Sequence, residues 1–291
     1  MTNTLKGNVS LAHLSMGKPA IRRKDVKITE EVAKIYKVRA KAGLYSKELL
    51  TEGALDKTTR IQGRARTLIN SRTGAWMDNG PRIIPNTLII ATIEDINSLN
   101  LEHQSAVDEA CAAYPGMVDQ RRIELNGMFN EADYPPVEIW RTKFYFKLHI
   151  LPLPDTDDFR CKISDEALEQ IKAGYADQLK TAEELTKKLP ADKIMEVVGH
   201  MAKMLGAYKP GEDGKRAESA FRQSLVDNVR ELCMLLPHFN IGNDPQLVSV
   251  IARMEKELCA EDEPALKKDE ILRETVRKSA EDILTEVSQF I

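Results

Sequence analysis

The sequence is poor in the residue patterns that build metal, cofactor and catalytic sites. Its four cysteines, Cys111, Cys161, Cys233 and Cys259, are far apart and never fall in a CxxC pair, which argues against a zinc site and a disulfide framework and leaves isolated thiols. Gly43, Gly53, Gly63 and Gly74 are scattered and followed by no lysine–serine pair, so no phosphate-binding loop is written here. HExxH, GxSxG and DFG are also missing, and none of His13, His103, His149, His200 and His238 has a second histidine at metal-ligand spacing. The acidic clusters Asp157-Asp158 and Glu261-Asp262-Glu263 lie in apparent loops, where solvation suits them better than proton transfer. A non-enzymatic protein with no metal and no cofactor is therefore expected. No apolar run approaches eighteen residues and the first twenty residues lack a secretory signal, so a cytoplasmic protein is expected.

Charge is present in quantity and unevenly placed. The chain of 291 residues has a net charge of −3, yet residues 1–73 carry 16 Lys and Arg against 6 Asp and Glu. That segment is about +10 and the rest about −13. A basic part joined to an acidic part fits either a polyanionic ligand or mutual attraction within the fold or between subunits.

One stretch alternates two chemistries. In Ile139–Pro152, Trp140, Phe144, Phe146, Leu148 and Ile150 form an apolar series broken by Thr142, while Arg141, Lys143, Tyr145, Lys147 and His149 form a basic one. Period two predicts a strand with one face on a core. Its other face is either a solvated polar surface or a set of cations around an aromatic ring, suited to a polyanion with exposed bases.

In chain order, residues 1–27 read as a short hairpin or arm with a basic tip at Arg22, Arg23, Lys24 and Lys27. Val32, Ile35, Tyr36, Val38 and Ala42 predict a helix from Thr29, and a second is expected from Ser46 through Leu68. The latter carries Lys57, Arg60, Arg64 and Arg72 on one side, with Arg66 set apart; Arg60 and Arg64 repel unless something anionic lies against them. Trp76, in the turn-rich loop 73–82 beside Arg72 and Arg82, fills the core or presents a ring for stacking, and its size favours the core. Residues 84–130 are expected helical with a kink or break at Pro115. Phe159–Ile163 is expected to be a partner strand for 139–152. Ser164 then caps a run of helices: to about Leu189, then 192–207, 217–236, 246–259 and 265–290. Gly211 and Gly214 mark 208–216 as a candidate mobile loop.

Several of these stretches also resemble a known family. Lys47-Glu48-Leu49-Leu50, Leu55, Arg64, Arg66, the loop from Thr73 to Pro85, the Phe129–Pro135 turn and the Phe144–Pro154 strand resemble an uncharacterised bacterial and phage family found near MoxR-type ATPases and von Willebrand A (VWA) proteins. The resemblance covers roughly residues 5–170 and implies no agreed activity. In size, layout and basic N-terminal part the chain is also similar to the single-stranded-DNA-binding RNA polymerase cofactors of short-tailed phages. That likeness implies a protein of the host cytoplasm that coats melted promoter DNA and recruits the phage RNA polymerase.

The expected fold is α+β and predominantly helical: a small antiparallel sheet from the N-terminal hairpin and residues 138–163, surrounding helices and a C-terminal bundle. The expected division is a basic region 1–163 and an acidic helical region 164–291, or one continuous domain. The expected function is binding of single-stranded DNA, with oligomerisation. Its candidate contacts are Arg22, Arg23, Lys24, Lys27, Arg60, Arg64, Arg66, Arg72, Trp76, Arg82, Arg141, Lys143, Tyr145 and Lys147. The alternative is an oligomeric adaptor for a MoxR-type ATPase or VWA protein that binds no DNA.

Overall fold

The computed structural model describes residues 5, 7–39, 42–76, 80–154, 165–211 and 219–290. The fold is α+β and mostly helical, with a small antiparallel sheet and a helical C-terminal region. The elements are β1 (Val9–Gly17), β2 (Arg22–Lys24), α1 (Val26–Ile35), β3 (Ser46–Glu48), α2 (Asp56–Arg72), β4 (Gly74–Ala75), β5 (Arg82–Pro85), α3 (Ile89–Leu125), α4 (Val137–Arg141) and β6 (Tyr145–Pro152). There follow α5 (Asp165–Ala207), α6 (Ser224–Phe239), α7 (Pro245–Leu258), α8 (Glu263–Lys268) and α9 (Glu270–Val287). The main sheet has the order β4-β5-β1-β6, and β2 pairs with β3 in a separate ribbon. The strands either side of Gly17-Lys18-Pro19 thus belong to different sheets and do not form the expected hairpin.

The chain divides into two compact units, and the division is not a single cut between residues 163 and 164. Residues 1–12, 72–89 and 150–291 form a helical unit, while 13–71 and 90–149 form a mixed unit. In the helical unit β1 meets β5 antiparallel, Val9 opposite Pro85 and Ala12 opposite Arg82. Its main core gathers Ile194, Val198, Met201, Val226, Val229, Leu236, Val250, Met254, Ala280 and Ile283 from α5, α6, α7 and α9. Each fully buried aliphatic side chain there contributes about 1.5–3 kcal/mol, which is what holds helices of mixed propensity in place. The same burial explains why α5 runs through Pro190 where two helices were expected. The buried positions Ala182, Ala191, Ile194 and Val198 continue across the proline, and packing outweighs one missing backbone bond. Conversely, the last expected helix is two, because the Asp269 carboxylate accepts from the Leu272 N–H at 3.0 Å and starts α9 anew. Buried Arg273 completes the break by donating to the Leu266 and Lys267 carbonyls at the end of α8.

The mixed unit packs α2 on α3 and β6 through Ile61, Ala65, Ile69, Ile96, Leu99 and Phe146. A second cluster joins Leu50, Leu55, Val107, Cys111, Tyr114 and Trp140, and its stripe on α3 carries that helix through Pro115 without a break. Three expectations fail here for local reasons. Ser46–Glu48 is strand because it pairs antiparallel with β2, Arg22 opposite Glu48 and Lys24 opposite Ser46, and Gly53 at φ +81° turns the chain before α2 begins at Asp56. Residues 137–141 are helix, started by Pro135-Pro136, so the strand begins only at Tyr145. The expected apolar stripe of α1 is not its buried face: Thr29 and Ala33 are buried, whereas Val32, Ile35, Tyr36 and Val38 are exposed. That helix stops at Ile35, with Lys37 at φ 52°. The expected strand Phe159–Ile163, the cap Ser164 and most of loop 208–216 lie outside the described residues.

Candidate nucleic-acid interface

Within β6 the period-two pattern is real. Phe146 is buried and Leu148 and Ile150 are half-buried, while Tyr145, Lys147 and His149 are exposed. The ring of Tyr145 rests on Gly17 of β1 so closely that a Cβ there would fall inside it. Only glycine at position 17 leaves room for the ring, and Tyr145 remains 47 % exposed. Such a ring is a ready stacking platform. Beside it on the strand stands Lys147, and nearby in sequence Lys143, in the turn after α4; both are exposed and neither has an acidic partner among the described residues.

Arg141, expected on the same strand face, is instead the last residue of α4 and pairs with Asp108 of α3 at 2.5 Å, which raises its pKa above the usual guanidinium range. The row on α2 is likewise partly matched. Arg64 pairs with Glu102 at 2.6 Å and Lys57 with Glu109 at 2.5 Å, so the anion expected opposite this row is in part α3 itself. Arg60 and Arg66 remain exposed without an acidic partner among the described residues. The mixed unit as a whole has 19 Lys and Arg against 16 Asp and Glu, net +3, and the helical unit is −6. Within the mixed unit the +8 of residues 13–71 is partly offset by the −5 of residues 90–149.

The basic residues of β2 are fixed by a buried cluster. Lys47, on β3, is 3 % exposed and sits between Asp133 at 2.6 Å and Asp25 at 3.1 Å, and donates to the Met128 carbonyl at 3.1 Å. Burial works against its charge, yet hydrogen bonds and attraction from Asp133 and Asp25 prevail and raise its pKa. Asp25 also caps α1 through the Ile28 N–H, and this bond, helped by Lys47, lowers its pKa. Arg23 reaches the same Asp133 at 2.7 Å, and Arg22 pairs with Glu48, whose pKa that contact lowers. Lys24 and Lys27 are exposed and without acidic partners among the described residues.

Beside this cluster opens a cavity of about 230 Å³ that brings together Arg22, Arg23 and Lys143, three of the residues expected to contact DNA. Leu49, Leu50, Tyr114, Tyr134 and Trp140 wall it. Tyr114 and Trp140 stack at 4.3 Å, and the Tyr114 hydroxyl donates to the Pro135 carbonyl at 3.1 Å; burial pushes the Tyr114 pKa up to about 12. Tyr134 is buried, and its hydroxyl has no hydrogen-bond partner among the described residues.

The remaining three candidates lie in the helical unit. Arg72 is half-buried at the end of α2. Arg82 donates to Thr73 Oγ1 at 2.6 Å, and burial lowers its pKa. Trp76 packs with the Leu5–Val9–Ile83 cluster, 6.3 Å from the Tyr175 ring, so it serves packing. Sequence reasoning missed Tyr36, 73 % exposed at the end of α1 and flanked by exposed Lys34, Lys37 and Arg39. The interleaving of ring and cations in Ile35-Tyr36-Lys37-Val38-Arg39 is the signal that could have found it.

Among the described residues no cluster of His, Cys, Asp or Glu could hold a metal ion, and no helix is long and apolar enough to cross a membrane. Comparison with protein-family models, with curated proteins and with solved structures finds no match for this chain.

Proposed function

We propose that the protein binds single-stranded DNA, without catalysis, through the mixed unit. One observation carries the reading: Lys24, Lys27, Lys34, Lys37, Arg39, Arg60, Arg66, Lys143 and Lys147 are exposed with no acidic partner among the described residues, in the unit that also exposes Tyr36 and Tyr145. Cations without partners suit a phosphate backbone, and rings with an open face suit unstacked bases. A duplex offers no bare base faces, so the rings favour single strands. On the phage resemblance, the protein is a transcription cofactor that meets an RNA polymerase at melted DNA. An electrophoretic shift with single- and double-stranded DNA at two salt concentrations tests this. Preferential retention of the single strand, falling steeply with salt, is the expected result; no binding to either at low salt sinks the reading.

A second reading is an oligomeric adaptor for an ATPase of the MoxR type or a VWA protein. The exposed Val32 and Ile35 of α1, with Val38 just beyond it, favour it, because exposed apolar side chains suit a protein partner. Light scattering separates the two: the adaptor assembles without DNA, whereas the DNA-binding protein gains mass when a long single strand is added.

A further inference from the structure

Two cysteines distant in sequence meet in the helical unit. Cys233, on α6, is 3 % exposed within the main core, and Cys259 packs on that core from the end of α7, where part of its surface stays open to solvent. The Cys233 thiol donates a hydrogen bond to the Cys259 sulfur. We propose that the two form a redox pair: a hydroperoxide oxidises Cys259, and Cys233 then closes a reversible disulfide between α6 and α7.

The local architecture holds the two sulfurs together. Arg230 and Cys233 lie one turn apart on α6 and so share a face. Both reach Cys259. The Arg230 Nε and Nη2 donate to the Cys259 carbonyl at 3.3 and 2.8 Å, partnering an oxygen that the end of α7 leaves without a helical donor. Asp227 and Asp262 hold that guanidinium in turn, at 3.3 and 2.8 Å. With backbone and thiol of Cys259 both clasped by α6, rotation about χ1 is enough to bring the sulfurs towards the roughly 2 Å of an S–S bond. Environment divides the roles. The bond from Cys233, with attraction from Arg230, lowers the Cys259 pKa against its own burial, while the same bond and burial push the Cys233 thiol up. Cys259 is thus the more ionised and more open sulfur and acts as nucleophile, and Cys233, protonated and shielded, resolves it. Cys259 Sγ attacks a peroxide oxygen and the O–O bond breaks, leaving a sulfenic acid on the protein and, after protonation, an alcohol or water. Cys233 Sγ then attacks the Cys259 sulfur, the S–O bond breaks, and the hydroxyl departs as water with the Cys233 proton. In total the thiols give up two electrons and two protons, and the peroxide takes both. Cys111, buried in the mixed unit, has no second thiol against it among the described residues.

The redox pair is independent of the nucleic-acid reading and is tested without DNA. The full chain, reduced and then freed of reductant, is treated with hydrogen peroxide for increasing times, alkylated with N-ethylmaleimide under denaturing conditions and peptide-mapped by mass spectrometry. The expected product is a peptide pair joined through Cys233 and Cys259, two hydrogens lighter than its parts and separated again by dithiothreitol. Cys259 is expected to lose its free thiol about tenfold faster than Cys111. In Cys233→Ala the sulfenic acid should persist on Cys259 and be captured by dimedone, whereas in Cys259→Ser dimedone should label neither position. Circular dichroism verifies that each variant folds, and if Cys233→Ala does not, the map of the native protein decides alone. Native protein in which both thiols stay alkylatable overturns the proposal, as does oxidation of Cys259 to sulfinic acid with no linked peptide, or loss of the Cys111 thiol at the same rate. Dimedone labelling of Cys233 in Cys259→Ser overturns the assignment of the nucleophile and with it the proposed sequence of steps.

Discussion

The two units use the same kinds of basic residue differently. In the helical unit Arg230, Arg253 and Arg277 each hold two carboxylates: Asp227 and Asp262, Glu257 and Glu286, Glu274 and Glu281. Both units also expose cations with no acidic partner among the described residues, Lys180, Lys188, Lys203, Arg222, Lys256 and Lys268 in the helical unit, but among the described residues the exposed large aromatic rings, Tyr36 and Tyr145, belong to the mixed unit. Net charge alone does not reveal this, since +3 and −6 are both modest. What sets the mixed unit apart is an exposed aromatic ring beside cations that no carboxylate among the described residues holds.

The largest effect is expected where a cation is buried. Lys47→Met removes the buried cation shared by Asp133 and Asp25, whose side chains are 6 % and 17 % exposed, and leaves Asp133 with Arg23 alone, so it should destabilise the mixed unit by about 3 kcal/mol, read by urea denaturation. Next comes the exposed set. Changing Lys24, Lys27, Lys143 and Lys147 together to Glu should abolish single-strand binding at moderate salt without changing the denaturation midpoint by more than a few tenths of a molar. Arg253→Ala, in the other unit, should do the reverse: DNA binding unaltered and stability lower by about 1 kcal/mol, since its pairs are partly exposed.

A pH scan sharpens the comparison from a third side. His103 is buried beside Gln62, and burial lowers its pKa from the ordinary 6.5. The unfolded chain then takes up a proton at higher pH than the folded one, so stability is unaffected above about 6.5 and falls as pH drops below it. The fall is at most about 1.4 kcal/mol per pH unit, and His103→Gln should flatten it in melts between pH 7 and 5. The smallest expected effect is at the exposed pair Arg64–Glu102, where Glu102→Gln should cost less than about 1 kcal/mol.

Much of the fold was legible as periodicity. The stripe of α9, with Val276, Ala280, Ile283 and Val287, lies where its spacing puts it, and the alternation expected over 139–152 holds as strand from Tyr145 onward. What was not legible depended on partners distant in sequence. Ser46–Glu48 is only three residues long and is strand because it pairs with β2, and nothing near Lys47 announces that Asp133 will bury it. Proline breaks neither helix in which it sits, since the packed faces around Pro115 and Pro190 outweigh the missing amide. The candidate site was legible as residue types and not as an assembly. Arg22, Arg23 and Lys143 were singled out by charge, but the cavity joining them also needs Tyr114, Tyr134 and Trp140, which no local pattern links.

The central claim is that the partnerless cations of the mixed unit hold a single strand. Its most direct test is the salt dependence of oligo(dT) affinity, measured by fluorescence anisotropy on the native protein and on the Lys24, Lys27, Lys143 and Lys147 to Glu variant. For single strands the logarithm of affinity falls with the logarithm of salt by about 0.7 per phosphate neutralised. The account predicts a steep negative slope for the native protein, and a slope shallower by about 2–3 in the variant if each lysine neutralises one phosphate. A native slope near zero, or a variant with the native slope and affinity, contradicts it.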